Sequence, residues 1–140
     1  MTKFKKDILG RLEQLKSKKL LNAKTKTFNK TYLGSVSEEN GAEISKLNEF
    51  QIAFIDLFED KNIELGKLFS GVLESEIKQI IEPENLEKIN LDEDIGFYCL
   101  KVPQEDGNDE WTIELATSFD ETIFHCNFTG WDFHSLDLTH

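Results

Sequence analysis

The spacing of apolar residues changes from a helical period to a period of two near Pro83, and this change constrains the fold more than any single motif. In residues 43–82 apolar side chains recur every three or four positions, as on the buried stripe of a helix. In residues 95–138 they tend to alternate with polar side chains, which is typical of strands that bury one face. Helices followed by strands predict an α+β fold, with about three N-terminal helices on one face of a C-terminal antiparallel sheet of about four strands.

Within the helical part, residues 2–21 are predicted to form an amphipathic helix with the apolar stripe Phe4, Ile8, Leu12 and Leu15. Further helices are predicted over 43–59 and 62–81, and Pro83 prevents continuation of the second. Residues 25–36 are rich in threonine and aromatic side chains, so we predict extended structure there.

Four strands are predicted in the second part of the chain, over residues 95–102, 111–116, 122–128 and 131–138. Their short connections favour antiparallel hairpins, and therefore a meander. If Thr129-Gly130 forms the last turn, His125 lies opposite His134.

The length of 140 residues predicts a single domain over 1–140, with a basic helix and strand-like arm in 1–32, helices in 43–82 and the sheet in 95–138. Cys99 and Cys126 form no CxxC pattern, and the N-terminus lacks the apolar segment of a secretory signal. A reduced, cytoplasmic protein is therefore expected. No apolar run is long enough to cross a bilayer, so we predict no membrane partner.

Charge is distributed unevenly along the chain. Residues 1–32 contain ten basic and two acidic side chains, a balance of +8, whereas the rest of the chain carries −19. The two sum to the net charge of −11. The basic segment either neutralises acids of the body or docks on another protein, and the acidic body favours a cationic partner. Its charge would repel phosphate, so no nucleic acid partner is expected.

Acidic and aromatic side chains occur together near the start of the predicted sheet. Trp and Tyr contribute strongly to binding at protein interfaces, and acids steer basic partners. The predicted contact residues for a basic protein are Asp92, Glu93, Asp94, Tyr98, Asp106, Asp109, Glu110 and Trp111. No nucleophile motif, glycine-rich phosphate loop or complete calcium loop is present, so no catalytic residue and no cofactor are predicted.

An alternative prediction is a small metal-binding protein or metal-dependent enzyme. Two histidines facing each other across a hairpin are close enough to share an ion, and a carboxylate could add a third ligand. The residues of this alternative site are His125, His134 and Asp132.

The run EWTIEL at 110–115 and the run FDETIFHCNFTGWDF at 119–133 follow helical segments and an acidic loop. In this layout, residues 45–140 resemble small bacterial α+β domains of unknown function, some of which serve as immunity proteins in polymorphic toxin systems. The resemblance implies a non-enzymatic inhibitor that binds a cationic toxin, for example a nuclease. It assigns no role to any individual residue.

Overall fold

Helices occupy the first part of the chain and most of the sheet occupies the second, which confirms the predicted α+β class. A computed structural model describes residues 1–38, 41–80, 84, 91–118 and 121–139. Within these residues the helices are α1 (Lys3–Ser17), α2 (Leu21–Tyr32), α3 (Glu49–Ile80) and α4 (Leu91–Asp94). The strands are β1 (Val36–Glu38), β2 (Ile95–Val102), β3 (Glu110–Thr117), β4 (Ile123–Thr129) and β5 (Asp132–Thr139).

The sheet is mixed, so the prediction of a purely antiparallel sheet is wrong. Strands β2 to β5 form the predicted meander, and β1 adds to its edge in parallel with β2, with Val36 opposite Leu100. The backbone N–H of Leu100 donates to the carbonyl of Ser35 at 2.8 Å. Three residues are too few to show an alternating pattern, which is why the sequence did not reveal this strand.

The prediction of an extended segment over residues 25–36 is also wrong for most of its length, because α2 continues to Tyr32. Thr25 and Thr27 donate their hydroxyl hydrogens to the carbonyls of Leu21 and Ala23, at 2.8 and 3.0 Å. Phe28 is buried against the core at 2% exposure. Tertiary packing therefore outweighs the weak preference of threonine for strands.

The two helices predicted over 43–59 and 62–81 are one helix, α3, which has 32 residues and a length of about 48 Å. Residues 59–62 are polar but contain neither glycine nor proline, so nothing in the backbone stops the helix there. The predicted stop at Pro83 lies outside the described residues.

Helix α3 begins six residues later than predicted because Asn48 caps it. The Asn48 Oδ1 accepts the N–H of Gln51 at 2.8 Å, and the Gln51 Oε1 accepts the N–H of Asn48 at 2.9 Å. This reciprocal pair satisfies two N–H groups at the helix start, as in a capping box.

The main core lies between the helices and the inner face of the sheet. Phe54 of α3 is fully buried, with its ring centroid 5.1 Å from Trp111 and 5.9 Å from Trp131. Trp111 in turn stacks on Phe128 at 4.3 Å. Farther along α3, Leu73 and Ile77 form a second cluster with the inner face of β4.

Helix α1 belongs to this core and is not a detached arm. Its predicted stripe is buried, and its Arg11 donates to the carboxylates of Asp56 and Asp60 on α3, both at 2.7 Å. Burial works against the charged form, but these two carboxylates outweigh it and raise the pKa of Arg11. Lys24 of α2 binds Asp56 as well, at 3.0 Å. For these pairs the interpretation of the basic segment as neutralising the body is confirmed.

Candidate functional site on the outer face of the sheet

Side chains of the sheet alternate between the inner face, which meets the helices, and an outer face that is strongly polar. The register places apolar residues such as Ile113 and Cys126 on the inner face. We define the outer face by its hydrogen-bonding and charged side chains, which are Ser37, Cys99, Lys101, Glu110, Thr112, Glu114, His125, Asn127, Thr129, Asp132, Ser135, Asp137 and Thr139.

A buried carboxylate lies in the middle of the outer face. Glu114 is 6% exposed, and its Oε1 is 3.1 Å from the Lys101 Nζ and 3.4 Å from the His125 Nδ1. The other ring nitrogen of His125 is 2.7 Å from the Thr139 hydroxyl. Four strands therefore contribute to one cluster, in which the lysine compensates the charge of the buried carboxylate.

A second network fills the outer face beside this cluster. The Thr112 hydroxyl donates to the Asn127 Oδ1 at 2.8 Å. The Asn127 amide then donates to the Ser135 hydroxyl at 3.1 Å and to the Asp137 carboxylate at 2.8 Å. All of these contacts join members of the outer face, so the face is ordered by its own hydrogen bonds.

Cys99 lies at the β2 edge of the outer face, with its sulfur 3.8 Å from the Ser37 hydroxyl. Burial raises the pKa of the Cys99 thiol, and nearby Glu114 adds to this effect, which outweighs the opposing influence of Ser37 and Lys101. A thiol that stays protonated near neutral pH is a weak nucleophile. The geometry therefore does not favour Cys99 as an attacking group.

The net charge of the chain resides in the segment that builds the meander. Residues 1–90 contain 15 basic and 15 acidic side chains and are neutral, whereas residues 91–140 contain one lysine and 12 acids. On the outer face itself, four carboxylates (Glu110, Glu114, Asp132 and Asp137) stand against the single Lys101.

Some of the predicted contact residues lie at the surface of the structure, and others are buried. Glu93, Asp106 and Glu110 are exposed, and Tyr98 is 54% exposed. Asp92 lies on α4 next to Glu93, and Asp94 ends that helix. The Asp94 carboxylate accepts a hydrogen bond from the Ser118 hydroxyl at 2.9 Å.

Trp111 and Asp109 are not surface residues, so their prediction as partner contacts is corrected. Trp111 is fully buried, and its indole N–H donates to the carbonyl of Gly130 at 2.6 Å. Asp109 is 8% exposed and lies 3.7 Å from the Lys5 Nζ of α1. Both side chains hold the β2–β3 loop and β3 against the rest of the protein.

The predicted pairing of His125 with His134 is wrong. Thr129 pairs with Asp132, so the turn consists of Gly130 and Trp131, with Gly130 at a φ of +59°. Phe128 then pairs with Phe133 and Asn127 with Ser135, which leaves His134 as the extra residue of a bulge.

His125 consequently lies opposite Asp137, away from the predicted metal partner. In the part of the chain that the structure describes, no group of three or more His, Cys, Asp or Glu side chains is arranged to hold a metal ion. The metal-site alternative built on His125, His134 and Asp132 has no support in this geometry.

Sequence reasoning missed Glu114, Lys101 and Asn127 as members of a site. The signal was present in β3, where Glu110, Thr112 and Glu114 alternate with apolar residues. Such alternation identifies a polar face but not its partners, because the neighbours come from strands that are distant in sequence.

None of the described helices is both long and apolar enough to cross a membrane. No family model matches the sequence, and comparisons with curated proteins and with solved structures found no match.

Proposed function

We propose that this chain is a non-enzymatic protein-binding domain whose outer face binds a basic partner. In its most concrete form, the partner is a cationic toxin such as a nuclease, and the chain is an immunity-type inhibitor that occludes it. The observation that carries the proposal is the location of the charge, since the neutral residues 1–90 contrast with the acidic segment that builds the outer face.

Electrostatics gives the face a role in association. A surface of one sign steers an oppositely charged protein and raises its association rate, an effect that weakens with salt. In the helical layer, formed by α1, α2 and α3, Asp56 and Asp60 would contribute little to this steering, because they already pair with cations of α1 and α2.

The outer face is also organised before a partner arrives. Asn127 and Glu114 are held by neighbouring strands, so binding would order few side chains. A low ordering cost leaves more of the contact energy available as affinity.

Two aromatic residues of β2 are exposed and offer apolar anchors to a partner. Phe97 is 47% exposed and Tyr98 is 54% exposed, and Glu93 lies close to them in sequence at the preceding helix. Exposed aromatics bordered by charge are typical of interface hot spots.

The test begins with coexpression of the chain and the protein encoded beside its gene. We expect the two to copurify at low salt and to separate at high salt. Absence of salt-sensitive binding to any basic protein encoded nearby would contradict the proposal.

Two matched triple variants then test whether binding depends on where the negative charge lies or only on the net charge. The first, Glu110→Gln with Asp132→Asn and Asp137→Asn, removes three charges from the outer face. The second, Glu13→Gln with Glu43→Gln and Glu74→Gln, removes three exposed charges from elsewhere. We expect the first set to weaken binding about tenfold or more and the second to change it little. An equal loss in both sets would mean that only net charge matters.

A further inference from the structure

A groove of about 200 Å³ lies on the outer face at the Glu110 end of β3, where β3, β4 and β5 run side by side. The side chains used below are Glu110, Thr112, Asn127, His134 and Ser135, all of which line it. It is large enough for the end of one side chain and too small for a folded element.

Two residues that line the groove, Thr112 and Asn127, have their side-chain hydrogen-bond donors occupied within the protein. The one hydroxyl hydrogen of Thr112 goes to the Asn127 Oδ1, and both amide hydrogens of Asn127 go to Ser135 and Asp137. A hydroxyl oxygen and an amide oxygen each have two lone pairs, and these contacts use one at most on each. At Thr112 and Asn127 the groove therefore presents acceptor lone pairs to a ligand, while the side-chain donors are already used.

The charge around the groove favours a cationic ligand that can donate hydrogen bonds. Glu110 is exposed at the groove, and Asp132 and Asp137 lie on β5, which borders the groove through His134 and Ser135. Lys101, the lysine of the outer face, is directed to Glu114 at 3.1 Å. An anion would meet these carboxylates, whereas a cation with several donors would satisfy both the charge and the free lone pairs.

We propose that this groove receives the guanidinium group of an arginine side chain from the basic partner. The planar guanidinium presents five N–H donors in a fixed fork and is weakly hydrated, while a lysine ammonium is a strongly hydrated point charge with three donors. This assignment rests on the proposed function, because it names the group that the outer face recognises.

The experiment uses the full chain alone and follows backbone amide signals by NMR. Three probes are titrated: N-acetyl-arginine amide, the nearly isosteric uncharged N-acetyl-citrulline amide, and Nα-acetyl-lysine amide. We expect the arginine probe to shift the amides of Thr112, Asn127 and Ser135, the lysine probe to bind about threefold or more weakly, and the citrulline probe to leave them unmoved.

Two variants locate the binding. Glu110→Gln should weaken the arginine probe about fivefold, because the charge-assisted contact is lost while the exposed position keeps the fold intact. The matched control is Glu121→Gln, an exposed acid at the opposite end of β4, which should leave the affinity unchanged. Shifts spread over all acidic residues, equal shifts with citrulline, or no effect of Glu110→Gln would overturn the assignment.

The two proposals fail separately. A basic partner that binds the outer face while the arginine probe ignores the groove would leave the proposed function standing and remove this inference. If the arginine probe binds the groove but the protein binds no basic partner, the arginine site stands and the proposed function is contradicted.

Discussion

The helical layer and the outer face of the sheet use charge in opposite ways. In the helical layer, cations of α1 and α2 meet acids of α3, and residues 1–90 are neutral overall. On the outer face, four carboxylates stand against one lysine, Lys101, which pairs with Glu114, and hydrogen bonds among polar side chains maintain the order. A charge that is paired internally stabilises the fold, and a charge left in excess is available to a partner.

The largest expected difference between the two regions is in stability. Phe54→Ala removes a fully buried ring that contacts Phe4, Phe58 and both tryptophans, so it should lower the free energy of unfolding by about 3–5 kcal/mol. Asn127→Ala, which breaks the outer-face network, should lower it by about 1–2 kcal/mol. Urea denaturation measures both, and equal losses would mean that the outer face is structural in the same sense as the core.

A smaller contrast concerns one aspartate from each region. Asp56→Asn leaves Arg11 and Lys24 without their shared carboxylate, whose side chain is only 9% exposed, and we expect a loss of about 1–3 kcal/mol. Asp137 lies at an exposed position, so Asp137→Asn should change the free energy of unfolding by no more than about 0.5 kcal/mol. The Asp56 effect should persist at high salt in denaturation experiments, because buried pairs are screened weakly. A loss that disappears with salt would show that this pair behaves as a surface pair.

Sequence reasoning predicted the helical layer and the sheet where the apolar period was long and regular. The stripe of α1 and the alternation of β3 both belong to this class. It failed where tertiary contacts determine the secondary structure. In α2, for example, the threonines are helical because Phe28 packs into the core. The join within α3 was missed for a related reason, since a polar stretch without a backbone breaker does not end a helix.

The candidate site was harder to predict because strand register controls it. A two-residue turn fits the last hairpin at Thr129-Gly130 or at Gly130-Trp131, and each choice gives different partners to His125. Trp131 packs on Phe4 and Phe54, so the core selects the second choice. That contact spans more than seventy residues, and no local pattern contains it.

Within the outer face, Glu114 and Glu110 should differ in what they support. Glu114→Gln weakens the contacts to Lys101 and His125 around a side chain that is 6% exposed, so a loss of stability of about 1 kcal/mol is expected. Glu110→Gln should leave the denaturation curve unchanged and affect only binding of the basic partner. If Glu110→Gln lowered the stability and Glu114→Gln affected only binding, the two carboxylates would have been assigned the wrong roles.

The last comparison uses the two cysteines, which report on opposite faces of the sheet. Cys126 belongs to the inner face, where burial raises the pKa of its thiol to about 12. Cys99 lies partly exposed on the outer face, where burial also raises the pKa of its thiol. Alkylation requires the thiolate, so at both sites the rate should be low at neutral pH and rise as the pH increases.

Under native conditions we expect iodoacetamide to modify Cys99 about tenfold or more faster than Cys126, as followed by mass spectrometry, because Cys126 is 1% exposed and reacts only after opening of the core. In denaturant the two rates should converge, which controls for intrinsic reactivity. Binding of the basic partner to the outer face should protect Cys99 and leave the slow reaction of Cys126 unchanged. Protection of Cys126 alone would place the partner on the helical side and reverse the comparison between the two regions.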